Sequence, residues 1–75
     1  MNVTTDEIRA IKPGAVKPFL CEDAKALYTA CSLVSILKNK GMPEGVVNYE
    51  TQKFFENNII LIHAMAEGDQ PILNK

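Results

Sequence analysis

The 75-residue sequence has no tryptophan, one histidine and two cysteines, and Arg9 is its single arginine. Two cysteines, Cys21 and Cys31, cannot build the multi-bridge framework on which small secreted domains rely. No cationic stretch leading into a long apolar run opens the sequence, so a reducing cytoplasm is the expected compartment. The longest unbroken apolar run, Ile59 to Ile62, is far short of the roughly 18 residues that a membrane span requires. The four glycines are isolated from one another, which excludes a phosphate-cradling loop between a strand and a helix. Internal repeats and low-complexity segments are also lacking.

What is present is the composition of one small folded domain: 47% hydrophobic, 23% charged, formal net charge −1. A core of this size stabilises a chain by only about 3–5 kcal/mol, so domains this short often recruit a metal, a disulfide or a second subunit. Charge is unevenly distributed: residues 1–40 carry a net +2 and residues 41–75 a net −3. A pI near 5.7 is nevertheless far from the strongly basic balance of a dedicated nucleic-acid binder.

Two helices are predicted. Thr4 and Glu7 form a capping box, with Val3 and Ile8 as its hydrophobic staple and Ile11 one turn further on the same side. Pro13 and Gly14 stop this helix after about two turns. A longer helix is predicted from Asp23 to Lys40, where Ala24, Leu27, Ala30, Cys31, Leu33, Val34 and Leu37 share one arc. Glu22 and Asp23 suit its N-terminus, and Lys38 and Lys40 its C-terminus. Gly41 is the expected C′ residue of a Schellman cap, in which Met42 meets Leu37.

Three segments alternate as strands. Ala15 to Cys21 puts Val16 and Leu20 on one side and Lys17, Phe19 and Cys21 on the other, and Pro18 confines it to a sheet edge. Val46 to Phe55 places Val47, Tyr49, Thr51 and Phe55 opposite Asn48, Glu50 and Gln52. Asn57-Asn58 suits a two-residue hairpin loop, which would pair Phe55 with Ile60, Lys53 with Ile62 and Gln52 with His63; a three-residue loop would shift every pair. The final strand, apolar on both faces over Ile59 to Ile62, belongs in the middle of the sheet. The expected fold is α+β: a short N-terminal helix, then β-α-β-β, with a three-stranded antiparallel sheet in order 1-3-2 packed on one long helix. The short helix is expected to cover part of the other sheet face. Residues 1–66 would form the domain and 67–75 a flexible tail.

Catalytic chemistry finds little support. Cys21, Cys31 and His63 have no metal-ligand spacing, so neither a metal nor a cofactor is expected. His63 beside Gln52, half-exposed on its strand, would lack the oriented partner that a general base needs. The acidic residues are accounted for by helix capping and surface solvation, so no catalytic residue is assigned. The expected role is a non-enzymatic accessory or interaction module that self-associates as a homodimer. Its interface would be either the strip Tyr28, Ser32 and Ile36 on the outer arc of the long helix or the bare sheet face carrying Phe54, Leu61 and Met65. The alternative is a small nucleic-acid-binding or regulatory protein. It would hold phosphates with Arg9, Lys12, Lys17, Lys25, Lys38 and Lys40 and stack bases on Tyr28, Tyr49 or Phe54.

Overall fold

The computed structural model describes residues 3–73, beginning with the capping box. Thr4 is extended, its hydroxyl accepts the Glu7 amide at 3.3 Å, and the Glu7 carboxylate accepts the Thr4 amide at 3.2 Å. These bonds satisfy amides that the first helical turn leaves without carbonyl partners. The helix α1 that follows is Thr5–Arg9. So short a helix needs packing to persist. Val3, Ile8 and Ile11 supply it by entering the core.

Strand β1, Val16–Leu20, leads to helix α2, Ala24–Lys40, whose first turn is capped by the Asp23 carboxylate accepting the Ala26 amide at 2.9 Å. Leu27, Ala30, Val34 and Leu37, spaced three and four apart, form its buried stripe. Cys31 and Leu33 flank that stripe partly buried, while Ala24 is exposed rather than on the packed arc. Gly41 ends the helix at φ 124°, ψ 124°, a conformation open to glycine alone. The Schellman cap is not formed: its ψ lies far from the left-handed helical value, and the Gly41 amide simply donates to the Leu37 carbonyl at 3.0 Å.

Strands β2, Asn48–Phe54, and β3, Ile59–Met65, complete an antiparallel sheet in the order β1-β3-β2, the α+β arrangement expected from the sequence. The hairpin register differs from the expected one. Phe54 pairs with Ile59, Thr51 with Ile62 and Glu50 with His63. The loop therefore contains residues 55–58, with the Asn57 amide donating to the Phe54 carbonyl and Asn58 at φ 54°. A four-residue connection built on a turn of this kind is common and slides the strands by two residues without exchanging faces. Val47, expected on the inner face, lies outside β2 and is exposed, and Val46 is buried in its place.

One sheet face meets the helices. Ile60, Ile62 and Ala64 from β3, Tyr49 from β2 and Phe19 from β1 pack against the α2 stripe. Helix α1 lies beside α2 and contributes to this same cluster, so it does not cover the other face as expected. A two-turn element with three apolar side chains gains most by extending an existing core. Tyr49 is completely buried, and its hydroxyl finds no hydrogen-bond partner among the described residues.

Three substitutions test this packing in urea denaturation. Thr4→Ala is expected to cost roughly 0.5–2 kcal/mol through the lost cap. Gly41→Val should cost about 1–3 kcal/mol through backbone strain at positive φ. Tyr49→Phe should leave stability unchanged or raise it by up to about 1 kcal/mol, because it removes an unpaired buried polar atom at constant shape.

Candidate functional site

The sheet face turned away from the helices is built by alternation from Val16, Pro18 and Leu20 of β1, Ile59, Leu61, His63 and Met65 of β3, and Asn48, Glu50, Gln52 and Phe54 of β2. It divides into a closed end and an open end. At the closed end residues 66–73 leave β3 and fold back across the sheet as a strap. The amides of Ile72 and Leu73 both donate to Oε1 of Glu50, at 2.8 and 3.2 Å. Nδ1 of His63, opposite Glu50 in the ladder, lies 2.6 Å from the same oxygen, and its Nε2 lies 3.8 Å from Oδ2 of Asp69 on the strap. Asp69 in turn accepts the Ala66 amide at 2.8 Å, which closes the turn that starts the strap.

Glu50 and His63 are thereby only 3% and 2% exposed, against the expectation of a solvated carboxylate and a half-exposed imidazole. The correction follows from the register, which sets His63 against Glu50 instead of Gln52. Burial alone pushes the Glu50 carboxyl up; the Ile72 amide, the His63 side chain and the Leu73 amide together outweigh it and hold the group below its ordinary value. His63 does have an oriented carboxylate partner, the element that the sequence left unidentified. Among the described residues Cys31 is not placed as its nucleophile: it lies on the opposite side of the sheet, its sulfur 3.9 Å from the Thr51 hydroxyl. Burial raises the Cys21 thiol, which disfavours the reactive thiolate.

At the open end Leu20 is 72% exposed and Phe54 38%, with Ile59 and Leu61 half-buried beside them, while Val16, 36% exposed, stands on the β1 edge opposite His63. None of the exposed strand side chains on this face is ionisable. Phe54 and Leu61 are thus available for an interface, whereas Met65 is already buried, at 8% exposure. The sheet edges are poorly suited to pairing. The bonds from Ala64 N to Ala15 O and from Cys21 N to Asn58 O set the alternation, so Val16, Pro18 and Leu20 turn their peptide groups outward from β1. Pro18 has no N–H to offer there. On β2 the outward positions are Tyr49, Thr51 and Lys53; Tyr49 is fully buried, and an edge lysine discourages strand addition.

The second strip expected to make contacts runs along α2. Tyr28 and Ile36 are exposed, but the Ser32 hydroxyl donates to the Tyr28 carbonyl at 3.1 Å and the Thr29 hydroxyl to the Lys25 carbonyl at 3.0 Å. The hydroxyls are turned back onto their own helix, and Tyr28 packs against the Phe55 ring with centroids 5.6 Å apart. Arg9, Lys12, Lys17, Lys25, Lys38 and Lys40 are all exposed. Lys25 and Lys38 lie about 20 Å apart along α2, at a rise of about 1.5 Å per residue. Lys17 stands over the Phe19 ring, its Nζ 5.4 Å from the centroid. Of the aromatic residues expected to stack on bases, Tyr49 is in the core, and Tyr28 and Phe54 occupy different faces. Among the described residues no helix is long and apolar enough to cross a membrane. Comparisons with protein families, curated proteins and solved structures found no match to this chain.

Glu50 has a pH signature. Because its folded-state affinity for a proton is lowered, its contribution to stability is complete above the unfolded carboxylate pKa of about 4.3 and is lost as the pH falls through the lower folded value. Urea unfolding between pH 7 and pH 2 should show this acid limb, and Glu50→Gln should flatten it. At pH 7, Glu50→Ala is expected to cost roughly 1–3 kcal/mol or more, because it leaves the Ile72 and Leu73 amides and Nδ1 of His63 without their shared acceptor.

Proposed function

We propose that this chain is a non-enzymatic interaction module that self-associates through the open end of its second sheet face. The observation that carries this reading is an apolar sheet surface, bearing Leu20 and Phe54 exposed with Ile59 and Leu61 half-buried beside them, that the chain's own helices leave uncovered. A second copy is the occupant best matched to it. In a two-fold interface each side chain meets its own counterpart or a close neighbour, so a surface without exposed charge faces no like-charge repulsion. Pro18 and Lys53 disfavour edge-to-edge strand addition, which leaves face-to-face stacking of two sheets about 10 Å apart. Both His63 nitrogens face carboxylates under the strap, which supports a structural role for the imidazole and a reading without catalysis.

Interface size sets the expected strength. Three strands about 4.8 Å apart, up to seven residues long at about 3.4 Å per residue, form a plate of roughly 14 by 23 Å, and the strap occupies part of it. That footprint is below the approximately 800 Å² per partner of a standard interface, itself about a sixth of the 4810 Å² molecular surface. The dimer should therefore be weak.

Sedimentation equilibrium from about 10 μM to 1 mM should show a dimer fraction that grows with concentration. Leu20→Lys, at a position too exposed to threaten the fold, should abolish it, and Ile36→Lys on α2 should leave it intact. A protein that stays monomeric throughout, or that dissociates only with Ile36→Lys, would overturn the assignment of this face.

A further inference from the structure

The strap has few attachments for a segment that closes half of a sheet face. None of its residues belongs to the core cluster, and Ile72 is 64% exposed. Its described hydrogen bonds to the sheet converge on one atom, Oε1 of Glu50, which takes both the Ile72 and Leu73 amides. Asp69 adds only a 3.8 Å approach to Nε2 of His63. Segments with little buried apolar contact open at far lower cost than the whole fold, and here a single acceptor governs the opening. Beneath the strap lie Met65, Glu50 and His63, on the same face as Leu61 and Phe54.

We propose that residues 69–73 act as a detachable strap, latched by the Glu50 carboxylate, that limits self-association by covering part of the sheet face on which a second copy docks. The proposal rests on the face assignment made above and adds its regulation. With the strap closed, the open end alone presents less area than a stable dimer needs. With it released, the dockable surface extends from Phe54 and Leu61 to Met65. Closed and open molecules therefore differ in affinity for a second copy, and the apparent affinity is scaled down by the fraction that is open. The open end, where no exposed strand side chain is ionisable, argues for a second copy as occupant, since that part of the face meets its counterpart without repulsion, while the uncovered Glu50 carboxylate keeps His63 as its neighbour.

The latch can be removed from the strap side, leaving the sheet sequence intact. Proline has no amide hydrogen, so the double variant Ile72→Pro/Leu73→Pro eliminates both donors to Glu50, and Ile72→Pro alone eliminates the shorter bond. His63, the only histidine, reports strap position through its rate of carbethoxylation by diethyl pyrocarbonate, measured near 1 μM, where a weak dimer is dissociated. Faster modification of His63 in the double variant, with a dimer dissociation constant about ten- to a hundred-fold lower by sedimentation, is the expected result and corresponds to a strap open about 1–10% of the time in the parent. An unchanged His63 rate would show that the two amides do not hold the strap, which overturns the latch. A faster rate with unchanged or weaker association would overturn the limiting role while leaving the dimer face standing. Monomers at all concentrations in parent and variants would overturn both the face assignment and its regulation.

Discussion

A strand with two apolar faces in a chain that has helices for only one of them is the constraint from which the rest of this structure follows. β3 runs between β1 and β2 with Ile60, Ile62 and Ala64 on one side and Ile59, Leu61, His63 and Met65 on the other. Both helices go to the first side, because packing side by side over one core buries more apolar surface than dividing five residues of α1 from the rest. The second side is closed by other means. A polar cluster tethers the strap at one end, and at the other end apolar side chains remain in contact with solvent.

The cluster departs from the usual logic of a protein interior. Glu50 is a carboxylate at 3% exposure whose burial is offset by three donors on one oxygen, two of them backbone amides from residues more than twenty positions away. Each member depends on the others: the strap amides need the carboxylate, the imidazole needs an acceptor at Nδ1, and both need the strap to exclude water. Buried polar networks of this kind stabilise only when every member is satisfied. The Tyr49 hydroxyl, on the opposite side of the sheet, is the contrasting case of a polar atom taken into the core for the sake of its ring.

The features written in local chemistry were legible in the sequence. The Thr4/Glu7 box, the Asp23 cap, the apolar stripe of α2 and the edge position implied by Pro18 each follow from a few neighbouring residues, and together with the two-sided apolar run at Ile59 they lead to the 1-3-2 order. The hairpin register was not legible. A slide of two residues keeps every side chain on its face, so the alternation of apolar and polar positions is identical in both registers, and Asn57-Asn58 is equally compatible with a short loop and with the end of a longer one. The long-range pairing of Glu50 with His63 distinguishes them, and it brings together residues 13 positions apart whose individual character suggests a solvated surface. A lone histidine and a lone glutamate on facing strands, each alternating toward the same side, were the available signal. The strap was hidden for the same reason: residues 69–73 have no periodicity, and their attachment is meaningful only once Glu50 is known to be buried.

That dependence ties the strap to strand alignment, because its attachment is satisfied in only one register. In the register slipped by two residues, Gln52 would face His63, and Glu50 would move away from the imidazole and from the site where the Ile72 and Leu73 amides arrive. The slipped hairpin conceals its apolar side chains as well as the native one does, so hydrophobic collapse cannot reject it. It has no carboxylate in position to receive the returning chain, however, and so the contacts that discriminate the two alignments come from a segment outside the sheet.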